Sequence, residues 1–183
     1  KYYTDDAHTF FITLNPNMEG LKKAQEKYGA NINKTILTIL EFRQALSFAA
    51  DRAQFCIDCS IWDKPAKGVF SELMVSDPEN GTTFRSYEEA KDNILKFWEL
   101  TNEVGEGKRY ATKDEAIASI TGVDVAQAKE KFTEAYNKAV EAGLIDADDV
   151  VQLTMGIPSQ APFYSKGYEY LVNCWTDAVK GTP

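Results

Sequence analysis

Histidine and cysteine are scarce in this sequence. Among its 183 residues there are one histidine, His8, and three cysteines, Cys56, Cys59 and Cys174. Three cysteines do not form a disulfide framework, and the Cys56–Cys59 pair lacks the second pair of ligands that a structural zinc site needs. A redox pair normally lies at the start of a helix, whereas this one follows at least a full helical turn. We therefore predict structural thiols, no metal and no cofactor.

Basic charge and long apolar runs are also missing. The chain has 20 basic against 28 acidic side chains, for a formal net charge of −8. A phosphate backbone requires a basic patch, so we expect no nucleic-acid partner, and the same balance disfavours docking on an anionic membrane. No apolar run reaches the roughly 18 residues of a membrane-spanning helix. The sequence begins at Lys1 and ends at Pro183, and we expect it to be a fragment of a longer polypeptide.

No motif assembles a catalytic centre. His8 has no serine-elbow motif to accompany it, and a phosphate loop ending at Lys108 would need other residues at Asn102 and Arg109. The acidic cluster Asp146–Asp149 lacks the glycine and distal glutamate of a calcium-binding loop, so we interpret it as a solvated turn. A carboxylate pair for hydrolysis stays an alternative, because 28 acids make such pairs common by chance. We expect a protein that is not an enzyme.

The segment Phe42–Arg52 is predicted to be the central packing helix of the domain. Four of its residues have the i, i+3, i+4, i+7 spacing of one buried helical face: Phe42, Ala45, Leu46 and Ala49. We predict that its arginines, Arg43 and Arg52, are structural tethers and not ligand contacts. Helix starts are marked by five capping patterns, in which Ser, Thr or Asp precedes Glu or Gln by three residues. They begin at Thr38, Asp51, Ser86, Thr112 and Asp124.

The remaining pattern predicts an α/β domain. Alternating apolar residues predict strands at His8–Asn15 and Val150–Met155. Helices are predicted between them and after residue 160, with a long loop at 61–81 that contains at most one brief strand or helical turn. The expected fold class is a helix-rich layered α/β domain with a small sheet, formed as one domain over 1–183 with an insert at about 81–121.

Several segments, in order, resemble the family 5 extracellular solute-binding proteins, which are the peptide and nickel receptors of ABC importers. Phe42–Arg52 resembles the family's "RqAlsyAiDR" helix, with seven positions in register. The other matching segments are Thr9–Asn15, Lys64-Pro65-Ala66, Ala128–Gly143, Val151–Met155 and the last helix with Trp175. The resemblance covers nearly the whole chain.

This resemblance implies part of the C-terminal lobe of a type II periplasmic-binding-protein-like receptor. Such a receptor captures extracellular oligopeptides and delivers them to a membrane permease. It would be extracellular, either lipid-anchored on a Gram-positive cell surface as a lipoprotein or periplasmic, and we expect a monomer. Of the family's ligand-facing positions, Asn15 and the loop from Lys64 to Phe70 can be matched here, so Asn15 and Lys64 are the predicted ligand-binding residues.

Two other functions fit the same sequence. One is a non-catalytic helical module for protein interaction, and the other is an accessory domain of a hydrolase that uses the acidic residues. A stable complex of the chain with a soluble helical partner would favour the first, and hydrolase activity lost on mutating an acidic pair would favour the second.

Overall fold

A computed structural model of the chain describes residues 9–28, 34–60, 63–68, 70–157 and 161–183. Within these residues the protein is rich in α-helix and has one two-stranded antiparallel sheet, so the predicted α/β class holds in its coarse form. The helices are α1 (Met18–Tyr28), α2 (Leu40–Phe48), α3 (Arg52–Cys59), α4 (Glu88–Phe97), α5 (Lys113–Ala118), α6 (Val125–Glu141) and α7 (Pro162–Ala178). The strands are β1 (Val75–Asp77) and β2 (Thr82–Thr83). No described helix is long and apolar enough to cross a membrane.

The chain divides into two compact units. The helix unit contains Thr13–Lys64 and Gly122–Pro183, and the hairpin unit contains residues 9–12 and Pro65–Thr121. The insert expected at about 81–121 lies inside the hairpin unit, whose longer segment begins earlier, at Pro65.

The helix unit is built on the contact between α2 and α6. The predicted face of α2 is confirmed, because Phe42, Ala45, Leu46 and Ala49 are all buried. The buried residues of α6 are Ala128, Phe132, Ala135 and Ala139. Alanines on both helices allow the backbones to approach closely, and the rings of Phe42 and Phe132 meet edge to face with centroids 5.4 Å apart. Val125, the first residue of α6, is exposed.

Helix α7 packs against α3 and the junction between α2 and α3. The ring of Phe55 lies against Tyr170 and Phe163, and a Cβ on Gly167 would come within 3.0 Å of it, so glycine permits this close approach. The indole Nε1 of Trp175 donates to the Leu46 carbonyl at 2.9 Å, and the Tyr170 hydroxyl donates to the Asp51 carbonyl at 3.0 Å. The first bond satisfies a carbonyl in the last turn of α2, and the second adds a donor to the Asp51 carbonyl, which also accepts the Phe55 N–H.

Three of the five predicted helix caps are confirmed. The side chains of Asp51, Thr112 and Asp124 accept from the backbone N–H three residues on. The predictions at Thr38 and Ser86 are wrong. Each of these hydroxyls instead donates to the carbonyl three residues before it, because each residue ends a short 3₁₀ turn. The helices then begin after Ile39 and Tyr87 without a side-chain cap.

Both predicted strands are wrong over the described residues. Residues 9–15 and 150–155 do not form strands, and His8 lies outside the described part of the chain. Apolar alternation shows only that a segment could occupy a sheet, whereas a strand also needs a hydrogen-bonding partner elsewhere. The two strands found among the described residues, β1 and β2, lie in and beside the segment predicted to be a long loop. The helix α2 therefore packs on another helix and not on a sheet.

Candidate functional site

Two exposed aromatic residues of the hairpin unit, Phe70 and Phe84, stack on each other, and the exposed Tyr87 follows Phe84 by three residues. We call these three residues, in the order Phe70, Phe84 and Tyr87, the aromatic patch. Their exposed fractions are 47%, 37% and 44%. The rings of Phe70 and Phe84 are stacked, with centroids 4.6 Å apart and planes inclined by 16°. Isolated exposed aromatic residues are common, but a stacked pair with solvent-accessible rings offers a defined surface to a ligand.

The β1–β2 hairpin places Phe84 in this patch. Val75 pairs with Thr83 and Asp77 with Thr82, so the strands are irregular at Ser76, and the Phe84 N–H donates to the Met74 carbonyl at 3.0 Å. The connecting turn, Asp77–Gly81, is stabilised by the Asp77 carboxylate. It accepts the Asn80 side-chain amide at 2.6 Å and the Glu79 N–H at 3.1 Å. Gly81 has a φ of 67°, a value that favours glycine.

Arg85 fixes Phe70 over Phe84. Its Nε donates to the Phe70 carbonyl at 2.6 Å and its Nη2 to the Gly68 carbonyl at 3.4 Å. Its Nη1 lies 3.8 Å from the Glu72 carboxylate. Burial lowers the pKa of the Arg85 guanidinium, and the charge of Glu72 opposes that shift. Arg85 thus acts as a clamp on the loop that carries Phe70.

Two further side chains, Ser76 and Lys67, make polar contacts within the hairpin unit. The Ser76 hydroxyl lies 3.2 Å from the Tyr87 hydroxyl and 3.0 Å from the Thr82 carbonyl. Earlier in the loop, the Lys67 Nζ donates to the Ile117 carbonyl at 2.5 Å, and burial lowers the pKa of this ammonium group. Lys67 and Tyr87 are therefore both bonded to other residues of the hairpin unit.

The two predicted ligand residues lie in the helix unit, outside the aromatic patch. Asn15 is exposed, and its side-chain oxygen accepts the Asn17 N–H at 2.9 Å. Asn17 in turn accepts the Gly20 N–H at 2.8 Å at the start of α1. Lys64 is exposed after α3. In this structure Asn15 supports a helix start, and the ligand roles of Asn15 and Lys64 stay predictions.

The arginines of the Phe42–Arg52 segment are tethers, as predicted. Arg43 Nη1 donates to the carbonyls of Leu37 and Thr38 at 2.6 and 3.0 Å. Arg52 donates to the Gly122 carbonyl at 2.8 Å and to the Ser47 hydroxyl at 2.6 Å. Both guanidinium groups bind groups of the helix unit, so this segment has an architectural role.

The cysteines are free and half-buried. Burial raises the pKa of the Cys56 and Cys59 thiols, which keeps them protonated and poorly nucleophilic. This agrees with the structural interpretation of the pair. In the part of the chain that the structure describes, no three His, Cys, Asp or Glu side chains cluster in a way that would hold a metal ion.

The sequence interpretation missed the aromatic patch because Phe70 and Phe84 are far apart in the chain. The available signal was the turn sequence Asp77-Pro78-Glu79-Asn80-Gly81 between two short β-prone pieces, which is typical of a hairpin.

Comparison with known proteins adds no assignment: no family model matches the chain, and no curated protein or solved structure shows significant similarity to it.

Proposed function

We propose that this chain is part of the C-terminal lobe of an extracellular receptor that captures oligopeptides for an ABC importer. The observation that carries the proposal is the aromatic patch, an exposed surface held in place by Arg85 and the hairpin. It lies where the loop resembling the family's ligand-facing loop ends, at Phe70. A surface of this kind suits peptide side chains, and the proposed role is binding without catalysis.

The hydrogen bonds within the helix unit are consistent with the same role. Arg43 and Arg52 hold backbone carbonyls, and Trp175 and Tyr170 fix the α2–α3 junction. A receptor lobe must present its ligand-contacting loops from a scaffold that keeps its shape, because ordering a loose site on binding costs affinity. The segment Phe42–Arg52 thus stabilises the lobe and leaves ligand contact to other residues.

The partners that follow from the proposal are an oligopeptide and a membrane permease, and the location is the cell surface or the periplasm. A helical module for protein interaction is the second candidate, favoured by the same exposed patch, since aromatic residues are enriched at protein interfaces.

Thermal unfolding of the full-length protein tests the proposed function. Addition of a peptide mixture at about 100 times the dissociation constant should stabilise the folded state by about 2.7 kcal/mol and raise the Tm measurably. Free amino acids of the same total composition are the control and should leave the Tm unchanged. Equal Tm values with peptides and amino acids would contradict the proposal. Hydrolysis of the added peptides would instead favour the enzyme-accessory alternative.

A further inference from the structure

We propose that the aromatic patch selects peptides with a cationic side chain, arginine or lysine. This inference rests on the proposed function and specifies the ligand class that the receptor prefers. It follows from the geometry of the Phe70–Phe84 stack and from the charge of the segment around it.

The stacked rings present a suitable surface to a cation. Phe70 and Phe84 cover one face of each other, and 47% and 37% of their surfaces stay exposed, so part of each ring is accessible to a ligand. A guanidinium or ammonium group within about 6 Å of a ring centroid is attracted by the negative face of the ring. An arginine side chain can also stack flat on the ring.

The local charge has the opposite sign to such a ligand. The segment 65–121 of the hairpin unit has eleven carboxylates against seven lysines and arginines, and its part from 70 to 90 has five carboxylates and one guanidinium. That guanidinium, on Arg85, is directed at the carbonyls of Phe70 and Gly68. The carboxylates are Glu72, Asp77, Glu79, Glu88 and Glu89. Glu72 is paired with Arg85, and Glu88 with Lys91 and Lys113, so the negative charge that no ion pair of the described residues balances is on Asp77, Glu79 and Glu89. Hydrogen bonds from Asn80 lower the pKa of Asp77, which is ionised at neutral pH.

The patch is also organised before a ligand arrives. The Arg85 clamp holds the Phe70 backbone, the hairpin bond to Met74 holds Phe84, and Ser76 contacts the Tyr87 hydroxyl. A backbone that is already ordered loses little conformational entropy on binding. A weak attraction between a cation and a ring can therefore contribute to selectivity here.

Isothermal titration calorimetry of the full-length protein with three pentapeptides tests the inference. The peptides are Ala-Ala-X-Ala-Ala, in which X is arginine, its uncharged isostere citrulline, or leucine. We expect the arginine peptide to bind about two- to fivefold more tightly than the citrulline peptide. The Phe84→Leu variant, which keeps an apolar side chain but loses the ring, should remove that preference. Phe97→Leu is the matched control and should retain it, because Phe97 is a similarly exposed ring of the hairpin unit outside the patch.

The other possible results contradict the inference, and one of them also contradicts the proposed function. Equal binding of the arginine and citrulline peptides would overturn the inference and leave the proposed peptide receptor intact. A preference for arginine that persists in Phe84→Leu would likewise overturn it. Equal binding together with a loss of stability in Phe84→Leu would assign the patch to contact with another segment of the protein. If none of the three peptides binds, both the inference and the proposed function fail.

Discussion

At the scale of single residues, Arg52 has the most consequential contacts in the helix unit. Its guanidinium links the start of α3 to the Gly122 carbonyl and to Ser47 on α2. Gly122 is buried with a φ of 90°, and a Cβ there would lie 3.0 Å from the Arg52 side chain. A side chain at position 122 would therefore collide with the Arg52 side chain as it is placed here.

Replacing Arg52 by alanine should lower the free energy of unfolding by about 2–3 kcal/mol. The change leaves the Gly122 carbonyl without its charged donor, and hydrogen bonds to charged groups contribute more than neutral ones. Urea denaturation monitored by circular dichroism measures the effect. Arg109→Ala is the control: Arg109 is exposed and contacts the Tyr110 ring, so its loss should change stability by about 0.5 kcal/mol or less. Equal losses in the two variants would contradict the tether.

Glu41 gives the α2–α6 contact a dependence on pH. Its carboxylate accepts from Lys138 at 2.8 Å, and that hydrogen bond lowers the pKa of Glu41 below its ordinary value of 4.5. A lowered pKa stabilises the fold above about pH 4.5 and loses its effect as the pH falls through the folded-state pKa. Hydrogen bonds to Glu134 and to Glu41 raise the pKa of Lys138 above 10.5, so the bridge is intact between these limits.

Glu41→Gln should therefore cost about 0.2–1 kcal/mol at pH 7, the range of partly exposed ion pairs, and nothing once Glu41 is protonated in acid. Unfolding free energies of wild type and variant, compared at pH 7 and in acid, measure this difference. Glu141→Gln on α6 is the matched control and should show no pH-dependent difference. A cost that is the same at both pH values would show that the charge of Glu41 does not stabilise the helix pair.

At the scale of elements, the contact between α2 and α6 depends on small residues. Ala45, Ala135 and Ala139 are fully buried, so there is no room for larger side chains between the helices. Ala45→Leu should overpack this contact and lower the free energy of unfolding by about 1–3 kcal/mol. Ala126→Leu is the control because Ala126 is an exposed position of α6. Thermal and urea unfolding compare the two; a neutral Ala45→Leu would mean that the helices are not packed as described.

Local signals predicted the helices better than the strands. The caps at Asp51, Thr112 and Asp124 are correct because a capping bond joins residues three apart, which a sequence displays directly. Thr38 and Ser86 show the same pattern, but each hydroxyl donates to the carbonyl three residues before it, within a 3₁₀ turn. No residue pattern in the sequence predicts these 3₁₀ turns. The strand predictions failed because pairing depends on a partner that is distant in the sequence.

The candidate site was predictable only in part. The tether roles of Arg43 and Arg52 followed from their place on an otherwise apolar helix, since such side chains bind what surrounds that helix. The patch of Phe70 and Phe84 depends on the irregular register of a short hairpin and on the Arg85 clamp. The hairpin pairs lie eight and five positions apart, and Arg85 contacts Phe70 fifteen positions away. Composition and periodicity do not reveal these contacts.

At the scale of the whole molecule, the hairpin unit interrupts the sequence of the helix unit. Replacing residues 65–121 by a flexible Gly/Ser linker of about ten residues, with an average span of roughly 16–19 Å, should leave a helix unit that unfolds cooperatively. The reason is that the α2–α6 and α3–α7 contacts all lie within that unit. Circular dichroism during urea titration measures this, with the same linker inserted between Lys64 and Pro65 as the control. If the shortened chain unfolds gradually while the control unfolds cooperatively, the helix unit depends on residues 65–121 for its stability.

The central claim is that the protein containing this chain is an oligopeptide receptor. Native mass spectrometry of the full-length protein tests it most directly, before and after addition of a defined peptide mixture. The account predicts adducts with the masses of peptides, released on denaturation, with arginine- and lysine-containing peptides enriched over their share of the mixture. A spectrum that shows only the unliganded mass, with and without the peptide mixture, would contradict it.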